Sequence, residues 1–231
     1  MGGGISPKRI MDICNHAKEL HGPPRVQNPG IERVALAGVT LFREGAAAVG
    51  LFRLREGWAF RYKMLADGRR QILNFLLPGD VIGLQAAVGP RIEHGVETLT
   101  RVRLSRCTLD RLNEADGDAA SCRALAALAR HAAAQEQILD DQLLTVGRRT
   151  ALERTAYLIW SLARRVNACG AGLAETIEFP LTQQHLADCL GLSLVHTNKT
   201  LRRLIRTDCI ALKGRRLAVK DERMLAEIAS V

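Results

Sequence analysis

"LADCLGLSLVHTNKTLRRLIR", residues 186–206, sets an apolar segment, a glycine and a cationic helix side by side. Just upstream, Thr182 offers a hydroxyl to the unpaired N–H groups of a helix start. A helix is therefore expected from there to Leu190, with Gly191 as the turn. A second helix is expected from Ser193 or Leu194 to about Arg206. Two helices joined by so short a glycine-containing connection make a helix-turn-helix. Ala187 is small where the two would cross, and Leu186, Leu190, Leu192, Leu201, Leu204 and Ile205 supply the core between them.

The remaining face of the second helix carries Val195, His196, Asn198, Lys199, Arg202 and Arg203. An amide can pair with an adenine edge, a lysine with guanine acceptors or phosphate, and an apolar side chain with a thymine methyl. Val195, Asn198 and Lys199 are accordingly expected to read bases, with His196 and Arg202 supporting at the DNA backbone. Thr182 and Gln183 are placed to meet phosphates at the first helix's N-terminus. Next comes "CIALKGRRLAVK" (209–220), two β-like runs around Lys213-Gly214-Arg215-Arg216. Lys213, Arg215 and Arg216 would form a basic hairpin suited to a phosphate backbone. The plain alternative for a cationic helix face is solvation. Turn chemistry, apolar spacing and a basic wing instead agree on a DNA-binding winged helix.

The rest of the chain is consistent with that. Lys plus Arg number 33 against 24 Asp plus Glu, a net charge of +9 over 231 residues, which suits polyanion partners. No apolar run approaches the ~20 residues of a membrane span. The start, "MGGGISPKRIMDICNHAKELHG", lacks the apolar centre of a signal peptide, so a cytoplasmic protein with no membrane partner is expected. The cysteines, Cys14, Cys107, Cys122, Cys169, Cys189 and Cys209, include no C-x-x-C pair and so spell neither a disulfide framework nor a zinc ribbon.

Residues 31–105 hold short Val-, Leu-, Phe- and Ile-rich segments between turns at "REG" (43–45 and 55–57), "ADG" (66–68), "PGD" (78–80) and "VGP" (88–90). That spacing predicts antiparallel strands in a sandwich or barrel, with a hairpin at Asp67-Gly68. Composition then switches. From Asp118 to about Val146 the chain is rich in Ala, Leu and Gln, and a long helix is expected. Leu125, Leu128, Ala132, Leu139 and Val146 form an a/d-like stripe for a partner helix, interrupted by Gln135 and Gln142. Gly147 offers a break, residues 148–166 resume as an amphipathic helix, and 167–175 form a connection. The domains expected are a β unit over 1–117, a dimerisation helix over 118–147 and a winged helix over 148–231.

With these motifs in place the chain resembles the Crp/Fnr superfamily of bacterial transcription regulators. The likeness rests on "LFREG" (41–45), "REGWAFRYKMLADGRRQILNFLLPGDVIGL" (55–84), "ETLTRVRLSRCTLDRL" (97–112), "VGRRTALER" (146–154) and "LTQQHLADCLGLSLVHTNKTLRRL" (181–204). The "DGRRQI…PGD" wording is similar to the FixK/Fnr-like branch. The resemblance implies an α+β chain: an N-terminal cyclic-nucleotide-binding-like β-roll, a long dimerisation helix and a C-terminal winged helix-turn-helix. It further implies a homodimer on a palindromic operator of double-stranded DNA, RNA polymerase as a partner, and an N-terminal signal coupled to the recognition helices.

Departures from the family pattern narrow this. Cyclic-AMP-binding members carry a Gly-Glu pair and a later Arg-Ser or Arg-Thr, whereas here Leu84 follows Gly83 and the later stretch reads "GVETLTR". Only Cys14 lies near the start, and Val102 stands where a fourth iron–sulfur ligand would fall. Fnr-type members often present Glu, Ser and Arg where this chain has Val195, Asn198 and Lys199, so the operator does not carry over. Cys14, His16 and His21 are weak candidates for a heme or metal, since their spacing is no specific motif, and no cofactor is expected. His94 reads as a surface-loop histidine. Cys189 reads as buried, and Cys209, next to Asp208 before the wing, as the better candidate for oxidation facing phosphates. An alternative keeps the fold as a constitutive or redox-modulated regulator without a small-molecule ligand. An enzyme is not expected, because no G-x-S-x-G, H-E-x-x-H, phosphate loop or paired-carboxylate motif is present.

Overall fold

The computed structural model describes residues 32–47, 50–87, 89–107, 119–168 and 176–231. Its first half contains β1 (Glu32–Ala35), β2 (Thr40–Phe42), β3 (Leu51–Glu56), β4 (Ala59–Met64), β5 (Arg70–Leu76), β6 (Val81–Ile82), β7 (Gly95–Thr98) and β8 (Val102–Cys107). They pair antiparallel into two four-stranded sheets, ordered β1-β8-β3-β6 and β2-β7-β4-β5. Between the sheets lies a core that includes Phe42, Phe52, Leu54, Leu76, Ile82, Val96 and Leu104. The hairpin expected at Asp67-Gly68 joins β4 to β5, with Leu65 N–H donating to the Arg69 carbonyl at 2.9 Å. At the second "REG" turn, Gly57 has φ +82, and a Cβ there would overlap the Arg101 carbonyl oxygen, so only glycine fits.

Side chains alternate along β4, a register shift around Leu73 breaks the alternation in β5, and the two faces go to different cores. Ala59 and Leu76 point between the sheets, while Phe60, Ile72, Phe75 and Leu77 join a second cluster made with the helices. The sandwich is therefore covered on one outer face by the C-terminal half.

α1 runs Ala119–Arg148, straight through Gly147. The expected break falls slightly later. A single helical glycine costs only about 1 kcal/mol, and what ends the run is a capping box at the next helix. There the Thr150 hydroxyl accepts from Glu153 N–H and the Glu153 carboxylate accepts from Thr150 N–H, at 3.4 and 2.7 Å. α2 follows as Ala151–Val166. Along α1, Ala132 and Leu139 are exposed, while Leu128 and Val146 are half-buried; the side chain of Leu125 lies outside the described residues. Leu143, 70% exposed, extends the stripe and was not foreseen. The two glutamines that interrupt it turn toward their own chain. Gln135 accepts from Asn74 at 3.0 Å, and Gln142 donates to the Cys189 carbonyl at 2.5 Å.

The C-terminal unit adds β9 (Ile177–Glu178), α3 (Gln183–Leu190), α4 (Leu194–Arg206), β10 (Ile210–Lys213), β11 (Arg216–Val219) and α5 (Glu222–Ala229). Neither β9 nor α5 was anticipated. β9 is two residues long and exists because β11 pairs with it. α5 starts at an Asp221 cap and buries Leu225 and Ala229 in the cluster that holds Ile159 and Leu162 of α2.

His94 corrects the sequence reading. It is 8% exposed rather than on a surface loop, because it directly precedes β7 and is drawn in with it. Burial, with Arg61 and Lys63 nearby, holds its imidazole down at about 4. The unfolded chain binds that proton near 6.5, so stability contributed by neutral His94 is complete above that value. It is lost as pH falls from there toward 4.

Two outcomes follow from this architecture. Gly57→Ala lowers unfolding free energy by about 2 to 4 kcal/mol in chemical denaturation; an unchanged midpoint would contradict the close approach to Arg101. Denaturation at pH 7 and pH 5 shows a loss of up to about 1.4 kcal/mol per pH unit that His94→Gln flattens. If the slope persists in the variant, His94 is not its source.

Candidate nucleic-acid interface

The helix-turn-helix is built by three caps, each chosen by local chemistry. At the start of α3 the Thr182 hydroxyl accepts from His185 N–H, and His185 Nδ1 accepts from Thr182 N–H, both at 3.2 Å. At its end Gly191 takes the left-handed conformation, φ +63, and sends its N–H back to the Ala187 carbonyl. Ser193 then accepts from His196 N–H at 3.2 Å and opens α4. The α3 and α4 bounds agree with those expected from sequence. Leu186, Ala187, Leu190, Leu201 and Leu204 are buried between and behind the two helices.

At 3.6 residues per turn, Thr197, Thr200, Leu201 and Leu204 share the inner face of α4, all buried. Val195, Asn198, Lys199, Arg202 and Arg206 fall on the opposite stripe. Val195 is 80% exposed, Lys199, Arg202 and Arg206 are exposed, and Asn198 is half-buried. His196 and Arg203 flank that stripe and are exposed as well. α4 carries four such cations and no acid. An apolar side chain held in water among them suits a methyl contact in a major groove. Thr182 and Gln183 are exposed at the head of α3.

β10 and β11 form the expected wing, pairing Lys213 with Arg216 across a Gly214 turn at φ +63. Lys213 and Arg215 stand exposed. Arg216 is exposed too and has a second role. Its guanidinium folds back on Thr176, donating to the hydroxyl at 3.0 Å and to the carbonyl at 3.3 Å, so it braces the wing to the chain entering β9.

Packing decides the state of the two described thiols, Cys189 and Cys209. Cys189 is buried as expected, and burial pushes its thiol up to about 12. Cys209 is equally buried, 1% exposed, which corrects the reading of it as a thiol facing phosphates. The chain reverses at Asp208, φ +60, and the Cys209 carbonyl accepts from Lys220 and Asp221 N–H. That places Cys209 inward, with its sulfur accepting from the Thr207 hydroxyl at 3.1 Å. Neither thiol meets oxidant without opening of the domain, which weighs against these two as redox switches. Cys14, His16 and His21 lie outside the described residues, and among the described residues no cluster of three metal-ligating side chains occurs. No described helix is long and apolar enough to cross a membrane.

What the sequence reading missed is how the unit is held. Arg70 of β5 donates to Asp188 of α3 at 2.9 Å while lying 5.0 Å above the Phe60 ring. Gln71 donates to the Cys189 carbonyl at 3.0 Å, and Arg165 of α2 reaches Asp80 at 2.7 Å and the Phe75 carbonyl at 3.0 Å. In the "VGRRTALER" hinge, Arg149 stacks on Tyr157 at 3.9 Å and donates to the Ala229 carbonyl. Arg154 donates to the Leu190 carbonyl at 3.0 Å. No local pattern points to such pairs, since Arg70 and Asp188 are 118 residues apart.

Comparison with known proteins agrees with this geometry. Residues 32–115 match the model of a cyclic nucleotide-binding domain, and residues 153–228 that of a Crp-like helix-turn-helix domain. The chain is 31% identical to the nitrogen fixation regulation protein FixK of Azorhizobium caulinodans, over 82% of this chain and 75% of that one. It is 30% identical to the transcriptional activatory protein AadR of Rhodopseudomonas palustris, over 82% and 77%. The solved structure of FixK2 from Bradyrhizobium japonicum superposes with a TM-score of 0.74 at 27% identity, covering 86% of this chain and 96% of that one. A sandwich, a long helix and a capped helix-turn-helix with a basic wing thus coincide with relatives of one kind, and the chain belongs to the Crp/Fnr family of DNA-binding transcription regulators, on its FixK-like branch.

Proposed function

We propose that two copies of this chain join along α1 and present their α4 helices to the two halves of a palindromic operator. The observation that carries this is the exposed, acid-free stripe of α4 beside an exposed basic wing. Val195, Asn198 and Lys199 read base edges. Thr182, Gln183, His196, Arg202, Lys213, Arg215 and Arg216 hold the DNA backbone, and Arg216 also braces the wing through Thr176. A two-fold protein with half-sites about one helical turn apart offers both recognition helices to one side of the duplex.

The dimer is supported by α1, where Ala132, Leu139 and Leu143 stay open in the single chain while Gln135 and Gln142 face inward. An apolar helix face left in water is the pattern of a helix awaiting a partner. AadR is a transcriptional activatory protein, and by that likeness RNA polymerase is the further partner. Cyclic nucleotide is not the proposed signal, because an apolar Leu84 opens the turn after Gly83, where the resemblance calls for a carboxylate.

Asn198→Ala weakens binding to the specific operator by about 1 to 3 kcal/mol and leaves binding to random duplex nearly unchanged, in titrations at fixed salt. Equal losses on both would make Asn198 a positioning residue. Leu143→Asp shifts the protein from dimer to monomer in sedimentation velocity; a variant that sediments as a dimer would remove α1 as the seam.

A further inference from the structure

A cavity of about 310 Å³ lies where β5, α1, α2 and α3 meet. Its α1 wall includes Ile138 and Asp141, about 100° and 160° around the helix from Leu139. Leu73 and Phe75 line it from β5, and Leu158, Trp160 and Leu162 from α2. The size is at the low end of small-molecule sites, on the order of 300 Å³ upward.

Polar groups in these walls are mostly committed to one another. Asn74 accepts from Arg61 and donates to Gln135, and Gln142 is held by the Cys189 carbonyl. The Ser161 hydroxyl donates to the Leu158 carbonyl, and Arg165 is taken by Asp80 and the Phe75 carbonyl. Tyr157 is bonded to Asp141, which together with burial pushes the phenol up to about 12. An occupant therefore meets apolar and aromatic wall, with few open donors.

Arg164, with Gln137, is an exception. Arg164 is exposed, its guanidinium lies 4.8 Å above the Trp160 ring, and no described carboxylate pairs with it. An aromatic wall with one unpaired cation against it is complementary to a flat molecule with a negative end. We infer that this junction cavity is a binding site for a small, planar, largely apolar anion of the aromatic or conjugated carboxylate class, with its ring between Trp160 and Phe75 and its carboxylate at Arg164.

The walls come from the β unit, the long helix and the DNA-binding unit together. An occupant that favours one spacing of these parts changes DNA affinity by the same free energy with which DNA changes its own. This coupling rests on the DNA-reading function proposed above, whereas the site itself does not.

Calorimetric titration of the full-length chain with 2-naphthoate tests the site, and the expected result is one molecule bound per chain. Ser161→Phe and Ile138→Phe, which fill the cavity from different walls, abolish that binding while circular dichroism shows the native helix content. Arg164→Gln weakens 2-naphthoate by about tenfold or more and leaves neutral 2-naphthalenemethanol unaffected. The proposal is overturned if wild type binds no 2-naphthoate at millimolar concentration, if binding survives in both filled variants, or if Arg164→Gln weakens charged and neutral probes alike. The coupling is read separately, as a change of threefold or more in duplex affinity with the site saturated. An unchanged affinity overturns the coupling with the site intact, and a protein that binds the probe but no duplex overturns the DNA reading instead.

Discussion

β5 is the last strand of its sheet, and an edge strand has a row of backbone groups that must find partners. Much of the remaining architecture is attached there. The Phe75 carbonyl accepts from Arg165 of α2, and Asn74 reaches Gln135 of α1. Arg70 and Gln71 hold Asp188 and the Cys189 carbonyl of α3. A strand exposed on its outer edge would invite pairing with another chain. Here helices cover it, and in doing so the same strand fixes the long helix and the DNA-binding unit relative to the sandwich.

Half of these attachments are charge-assisted and lie at the margin of the core. The Arg165–Asp80 and Arg70–Asp188 pairs are partly buried, with side chains between 12% and 24% exposed. Pairs of this kind select one arrangement without adding much net stability, because desolvation offsets much of the Coulomb attraction. The apolar part of the contact, Phe60, Ile72 and Phe75 against the α2 and α3 cluster, supplies the attraction, and the ion pairs set its register. An interface so divided suits a regulator, in which one part has to be able to shift against another without unfolding.

The helix-turn-helix was legible residue by residue because its determinants are local. Thr182, Gly191 and Ser193 each act within a turn of their own position, and the Leu and Thr spacing of α4 fixes which face turns inward. The hairpin at Asp67-Gly68 was legible for the same reason. Less of the interface could be read. Arg216 was assigned by charge alone, and its bond to Thr176 depends on β9 pairing with β11, a contact of 40 residues' separation. Cys209 was placed by its sequence neighbours, whereas its burial comes from the reversal at Asp208 and the strand beyond it.

The sequence by itself determined the β unit, the long helix, the helix-turn-helix with its caps, the cationic face of α4 and the family, since periodicity, turn residues and charge act over a few residues. Tertiary structure alone decided which groups on those elements are free. It turned Gln135 and Gln142 away from the α1 stripe, buried His94 and both described thiols, and left Arg164 unpaired beside a cavity shared by four elements. The physical reason is that burial and pairing depend on atoms brought together from distant parts of the chain. No window of sequence contains both partners.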